Sequence, residues 1–134
     1  MDLAAVMLEV AARLRGIDGL RVHDNPGATR TPPAAIVLYP ETLTFDGTYR
    51  RGMDRMSLPL SVVVGKVSDR SARNQLAAYC NGNGARSIKQ TLESGAYTEF
   101  DELRVESIDF DYVTYEGALL VEAMFTLDIV GSGT

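Results

Sequence analysis

Residues 103 to 130 read LRVESIDFDYVTYEGALLVEAMFTLDIV, two apolar-rich runs split by Glu116-Gly117. Long runs of strand formers joined by a two-residue, glycine-containing turn predict an antiparallel hairpin, Leu103 to Tyr115 against Ala118 to Val130. In the second run Val121, Ala123, Phe125, Leu127 and Ile129 fall on one parity and therefore on one face. In the first, Ile108, Phe110 and Tyr112 share a face while Val105 has the opposite parity, a switch that predicts a bulge near Glu106-Ser107. The apolar side of such a hairpin has to be covered, and the rest of the chain supplies the cover.

Working back, Ser68 and Asp69 open a helix whose apolar face is Ala72, Leu76, Tyr79 and Cys80 and which ends at Asn81-Gly82. Asn83-Gly84 then restarts the chain into Ala85, Ile88 and Leu92, a second helix that stops at Gly95. Before them Met56, Leu58, Leu60, Val62 and Val64 alternate with Arg55, Ser57, Pro59 and Ser61, the pattern of a long half-buried strand. Pro59 lacks a backbone donor, so the strand is expected to border the sheet there or to carry a bulge. Ala34 to Tyr39 reads as a short strand buried on both faces or crossing the middle of a sheet, Thr42 to Tyr49 alternates weakly, and DGTYRRGMD (46 to 54) reads as a projecting polar hairpin tip. At the start, Leu3, Val6, Met7, Val10 and Leu14 recur at helical spacing behind the cap Asp2. Gly16 and Gly19 end that helix before a short strand at Leu20 and Val22. Residues 23 to 33 carry three of the five prolines and read as an exposed loop, and 131 to 134 as an unstructured tail.

The order predicts one α+β domain over residues 1 to 134, a mainly antiparallel or mixed sheet with an N-terminal helix and two further helices packed on one face. At 134 residues and 46% hydrophobic the chain is long enough to bury a core without staples. The single cysteine excludes an internal disulfide framework and a cysteine-based zinc site. Thirteen basic against eighteen acidic residues argue against nucleic-acid binding as the main task. No apolar run has the length of a bilayer span and no leader-like start is present, so the chain reads as made in the cytoplasm.

Catalytic readings are thin. His23, Asp24 and Cys80 can be written as a Cys-His-Asp set, yet Cys80 lies on an apolar helix face as a small hydrophobe and His23 opens a loop, so a core thiol and a solvated histidine are the better reading. Asn81-Gly82-Asn83-Gly84 precedes a helix but lacks the Gly-Lys-Ser/Thr of a phosphate loop. Asp109 and Asp111 share a strand face without the tryptophan or ligand set of a carboxylate hydrolase. No cofactor or metal is expected.

Charge is split along the chain. Glu99, Asp101, Glu102, Glu106, Asp109, Asp111 and Glu116 face one basic residue, Arg104, whereas Arg50, Arg51, Arg55, Lys66, Arg70 and Arg73 gather earlier, offset by Asp54 and Asp69. An ordinary solvated surface explains this, and so does head-to-tail self-association, which closes into a ring when the rotation allows. The candidate interface residues are Arg50, Arg51, Arg55, Glu106, Asp109 and Asp111. A domain of this length is ~36 Å across, so six in a ring leave a hole of ~36 Å and four only ~15 Å. The larger hole admits duplex DNA.

The opening MDLAAVMLEVAARL, the segment PPAAIVLYPETLTFDGTYRRGMDRMSLPLSVVVGKVSDRSARNQLAAYCNGNGARSIKQTLESG and the ending LDIVGSG resemble the small tail terminator (tail completion) proteins of long-tailed actinobacteriophages. The resemblance implies a fold similar to the lambda-type terminator and a structural virion protein, not an enzyme. It implies a hexameric ring that caps the tail tube, ends its polymerisation and presents the head-joining surface. The implied partners are further copies of the chain, the tail tube protein and a connector or stopper protein. DNA passes through the lumen without sequence-specific binding, and no membrane is involved. The implied location is the tail-neck junction of the virion, with assembly in the host cytoplasm. A head-tail stopper or other neck protein is the nearest alternative, and a small enzyme using Cys80 or Asp109 and Asp111 the distant one.

Overall fold

Asp2 opens helix α1 (Leu3–Leu14) by accepting from the Ala5 N–H at 3.3 Å. The helix belongs to a computed structural model that describes residues 2–17, 20–23, 34–45, 53–66, 70–115 and 117–132. Val6, Met7, Val10, Ala11 and Leu14 form its buried stripe, the face that its spacing predicts. After it come β1 (Arg21–His23), β2 (Ala34–Val37), β3 (Thr42–Thr44) and the long β4 (Met53–Lys66). Then follow helices α2 (Arg70–Cys80) and α3 (Ile88–Glu93) and the hairpin β5 (Glu102–Tyr115) and β6 (Ala118–Ser132). The sheet runs β1-β2-β4-β6-β5, with β3 on the same side of β4 as β2. Only β1 and β2 pair in parallel, so the α+β class with a mixed, mostly antiparallel sheet holds.

One face of the sheet carries the core. Met56, Leu58, Leu60, Val62 and Val64 from β4 meet Ala123, Phe125, Leu127 and Ile129 from β6 under α1, α2 and α3. Ala34, Ile36 and Val63, which point to the other face, are buried as well, so β2 is enclosed on both sides, but it ends at Val37, short of the expected Tyr39, which is exposed.

Four expectations need correction. β4 is an interior strand, paired with β6 along nearly its whole length, so Pro59 does not border the sheet. The Pro59 carbonyl accepts from Leu38 N at 3.1 Å, and a strand residue's N and C=O point the same way, so its missing donor faces residues 38–41. There the neighbouring ladder breaks: β2 ends at Val37, and pairing resumes as β3 at Thr42 opposite Ser57. The register shift in β4 lies instead between Val63 and Lys66. Met53 and Asp54 are strand residues rather than hairpin tip, and Asp54 is 3% exposed; 46–52 lie outside the described residues. Gly131 and Ser132 continue β6 opposite Asp54 and Met53 and are not a loose tail, because a long partner strand is there to pair with them. Finally, α3 begins at Ile88, capped by Ser87, whose hydroxyl accepts from Gln90 N and donates to the Asn81 carbonyl. Gly84, with φ +116°, belongs to the preceding turn. The loop 24–33 and the cap residues Ser68 and Asp69 lie outside the described residues.

Candidate interaction surface

The predicted bulge is present: Val105 pairs with Leu127 and Ser107 with Thr126, leaving Glu106 extra. Its effect is to bring Leu103, Val105, Ile108, Phe110 and Tyr112 onto one face, opposite Ile129, Leu127, Phe125, Ala123 and Val121. The bulge is held from outside. The Val105 N–H points to the sheet edge and donates to Glu93 Oε2 at 2.8 Å, and Glu93 also pairs with Lys89 at 2.5 Å. Burial raises the Glu93 carboxyl, but the Lys89 ammonium and the Val105 N–H outweigh it and leave the group below its ordinary value. A second clamp on the same side is Glu9, which accepts from Thr98 N at 2.8 Å and from Thr98 Oγ1 at 2.7 Å. Neither carboxylate was singled out from the sequence; each contact spans a separation that no local pattern reveals.

The helices do not reach the end of this hairpin. A 14-residue strand extends ~45 Å and an 11-residue helix ~16 Å, so the helix layer leaves part of the sheet bare. The bare part is the arm that ends at Gly117, whose φ of +79° suits the turn. On its core-side face Phe110 is 59%, Tyr112 64% and Leu119 50% exposed. Between the arm and α2 runs an open groove of about 320 Å³, lined by Val64, Ala72 and Leu76 on one side and Phe110, Tyr112 and Val121 on the other. Arg73 stands on its α2 rim and Asp111 on its β5 rim. The arm's opposite face is acidic: Asp109 and Asp111 are exposed, and Asp111 lies directly across from Glu122. Ser61 Oγ donates to Glu122 at 2.8 Å. On α2 and the turn after it, Arg70, Arg73 and Arg86 are exposed, and among the described residues none of them pairs with a carboxylate.

Of the six candidate interface residues, Asp109 and Asp111 stand together on the arm, and Glu106 is exposed at the bulge. Arg55 lies at the other end of the same sheet face and already holds Asp128 through two hydrogen bonds, 2.9 and 2.7 Å. That contact, before burial and charge, holds the Asp128 carboxyl below its usual range. Arg50 and Arg51 lie outside the described residues.

The catalytic readings separate. Cys80 ends α2, half-buried, and burial pushes its thiol up to about 11, which keeps it protonated and weakly nucleophilic near neutrality. His23 ends β1, and contrary to the solvated reading its Nε2 is buried, with no hydrogen-bond partner among the described residues. Among the described residues no group of three histidine, cysteine or carboxylate side chains is placed to hold a metal. In the Asn81 to Gly84 turn the Gly84 N–H is taken by the Gln90 side chain at 2.7 Å, so that donor is not aimed at an anion. No protein-family model matches the chain, and no curated protein matches it.

Proposed function

We propose that this chain is a structural virion protein that assembles head to tail into a ring of six copies, a number whose lumen admits duplex DNA where that of four does not, and acts as a phage tail terminator. The ring caps the tail tube, ends its polymerisation and offers the surface that joins the DNA-filled head, with DNA passing through the lumen. The observation that carries the reading is the two-signed surface: an acidic arm with uncovered apolar side chains and, across the groove from it, arginines on α2 without carboxylate partners among the described residues. Opposite patches at different places on one chain favour a heterologous contact, and such contacts close into rings where the rotation allows. The resemblance in sequence to tail terminators supplies the biological setting.

The experiment is gel filtration with light scattering on the full chain, followed by its addition to tail tubes assembled without a terminator. A mass of six protomers that falls as salt rises, together with tubes of fixed length, is the expected result. A chain that stays monomeric at high concentration and leaves tube growth unaltered refutes the proposal.

A further inference from the structure

The groove beside the arm is an apolar surface that the fold leaves open, with a concave shape, a cationic rim on α2 and a volume of about 320 Å³. That volume suits a few side chains rather than a whole secondary-structure element. The arm that forms its other wall cannot fold back to fill it, because β5 and β6 are paired with each other as far as Tyr115 and Ala118. The arm extends past the groove by about three residues per strand, ~10 Å. On that extension Leu119 is half exposed on the core-side face, and Asp111 and Asp109 follow behind it on the other face. One chain therefore carries both halves of a fit: a narrow anionic ribbon with an apolar tip, and an apolar slot beside Arg73.

We infer that in the assembled ring this groove is filled by the arm tip of a second copy of the chain, with Leu119 of the incoming tip on the floor formed by Val64, Leu76 and Val121. Arg73 at the rim meets the carboxylates of the incoming arm. The two halves lie at different places, so the contact is heterologous and an open oligomer is left with one free arm at one end and one free groove at the other until the ring closes. The pairing rests on the ring reading above and specifies which surfaces meet.

Sedimentation velocity over a concentration series tests it, using the full chain, Arg73→Glu, Asp111→Arg, Leu119→Asp and an equimolar mixture of the first two variants. All three positions are exposed, and far-UV circular dichroism checks that each variant folds. Each variant alone should need at least about tenfold more protein to associate, and the mixture should recover association because it restores an opposite-sign contact in both directions. Wild-type association with unchanged midpoints in Arg73→Glu and Leu119→Asp overturns the arm-in-groove contact and leaves the ring standing. A wild-type chain that remains monomeric, or stops at a dimer, overturns both.

Discussion

Replacing Glu93 with alanine tests how the arm is set. The substitution leaves the Val105 N–H, on a residue only 8% exposed, without the acceptor that sits 2.8 Å away. An orphaned buried N–H costs about 1–3 kcal/mol. Loss of the exposed Lys89 contact adds about 0.5 kcal/mol, and alanine's better helix propensity returns a few tenths. The expected loss is about 2 kcal/mol, or about 8 °C in melting temperature for a domain of this size. Glu93→Gln keeps an acceptor for the N–H and loses only the charge, so it should cost about 0.5 kcal/mol. Thermal and urea unfolding measure both variants, and amide hydrogen exchange at Val105 should accelerate in the alanine variant alone. If alanine melts within about 2 °C of wild type, or glutamine falls as far as alanine, then Glu93 does not hold the bulge.

Gly65 faces α2 so closely that an added Cβ would stand 2.9 Å from the Ala72 Cβ; Gly65→Ala should therefore cost about 1–3 kcal/mol by urea unfolding, and a neutral result would show that α2 can slide. Phe125 is fully buried between the sheet and the helices, and Phe125→Ala should cost about 3–5 kcal/mol in the same assay, far more than Phe110→Ala on the exposed arm. Glu93 and Asp128 both titrate below their ordinary values, so their contribution is present above the unfolded carboxylate range and is lost as pH falls through the folded values. The urea midpoint should stay level from neutrality to about pH 5 and drop below about pH 4, with a shallower drop in Asp128→Asn; a midpoint that rises on acidification would contradict this. Cys80 should react slowly with iodoacetamide at pH 8 and speed up toward about 11, and rapid labelling at neutral pH would show that its helix end opens.

The hairpin and its bulge were legible because period-two alternation is a local signal, and the parity change between Val105 and Ile108 can be read without any partner strand. Helix α1 was legible for the same reason, with its cap Asp2 and its stripe of apolar residues. The expectation that the Pro59 strand borders the sheet or bulges there fails: β4 is interior and regular at Pro59, and the interruption falls on the chain opposite it, between Val37 and Thr42. A single sequence cannot say which neighbour a missing donor faces. The site was half legible. Asp109 and Asp111 are exposed on the arm, but the parity that puts Ile108, Phe110 and Tyr112 on one face does not say how far the helices cover it. The clue that the helices fall short was present in the lengths, two strands near 14 residues against helices of 12, 11 and 6. Rise per residue turns those lengths into an uncovered end. Glu9 and Glu93 had no such clue, since their partners are loop and edge donors fixed only by the tertiary fold.

The edge of β5 narrows the ways in which copies of the chain can meet. Near the bulge its outward N–H at Val105 is taken by Glu93, which closes that stretch to an incoming strand. Farther out, hairpin register turns the N–H groups of Phe110, Tyr112 and Thr114 outward, and the Tyr112 N–H is covered at 2.8 Å by Asp111 of the same strand. A symmetric pairing of two arms, antiparallel and centred on Phe110, would set Asp109 of each copy against Asp111 of the other. Like charges directly opposite destabilise a strand pair, and here the repulsion would occur twice. The two-fold edge-to-edge dimer is thus the contact that the arm's own charges oppose, whereas a cationic helix face gains from them. This leaves the arm free to act as an insertion element on a neighbour rather than as a seam between mirrored sheets.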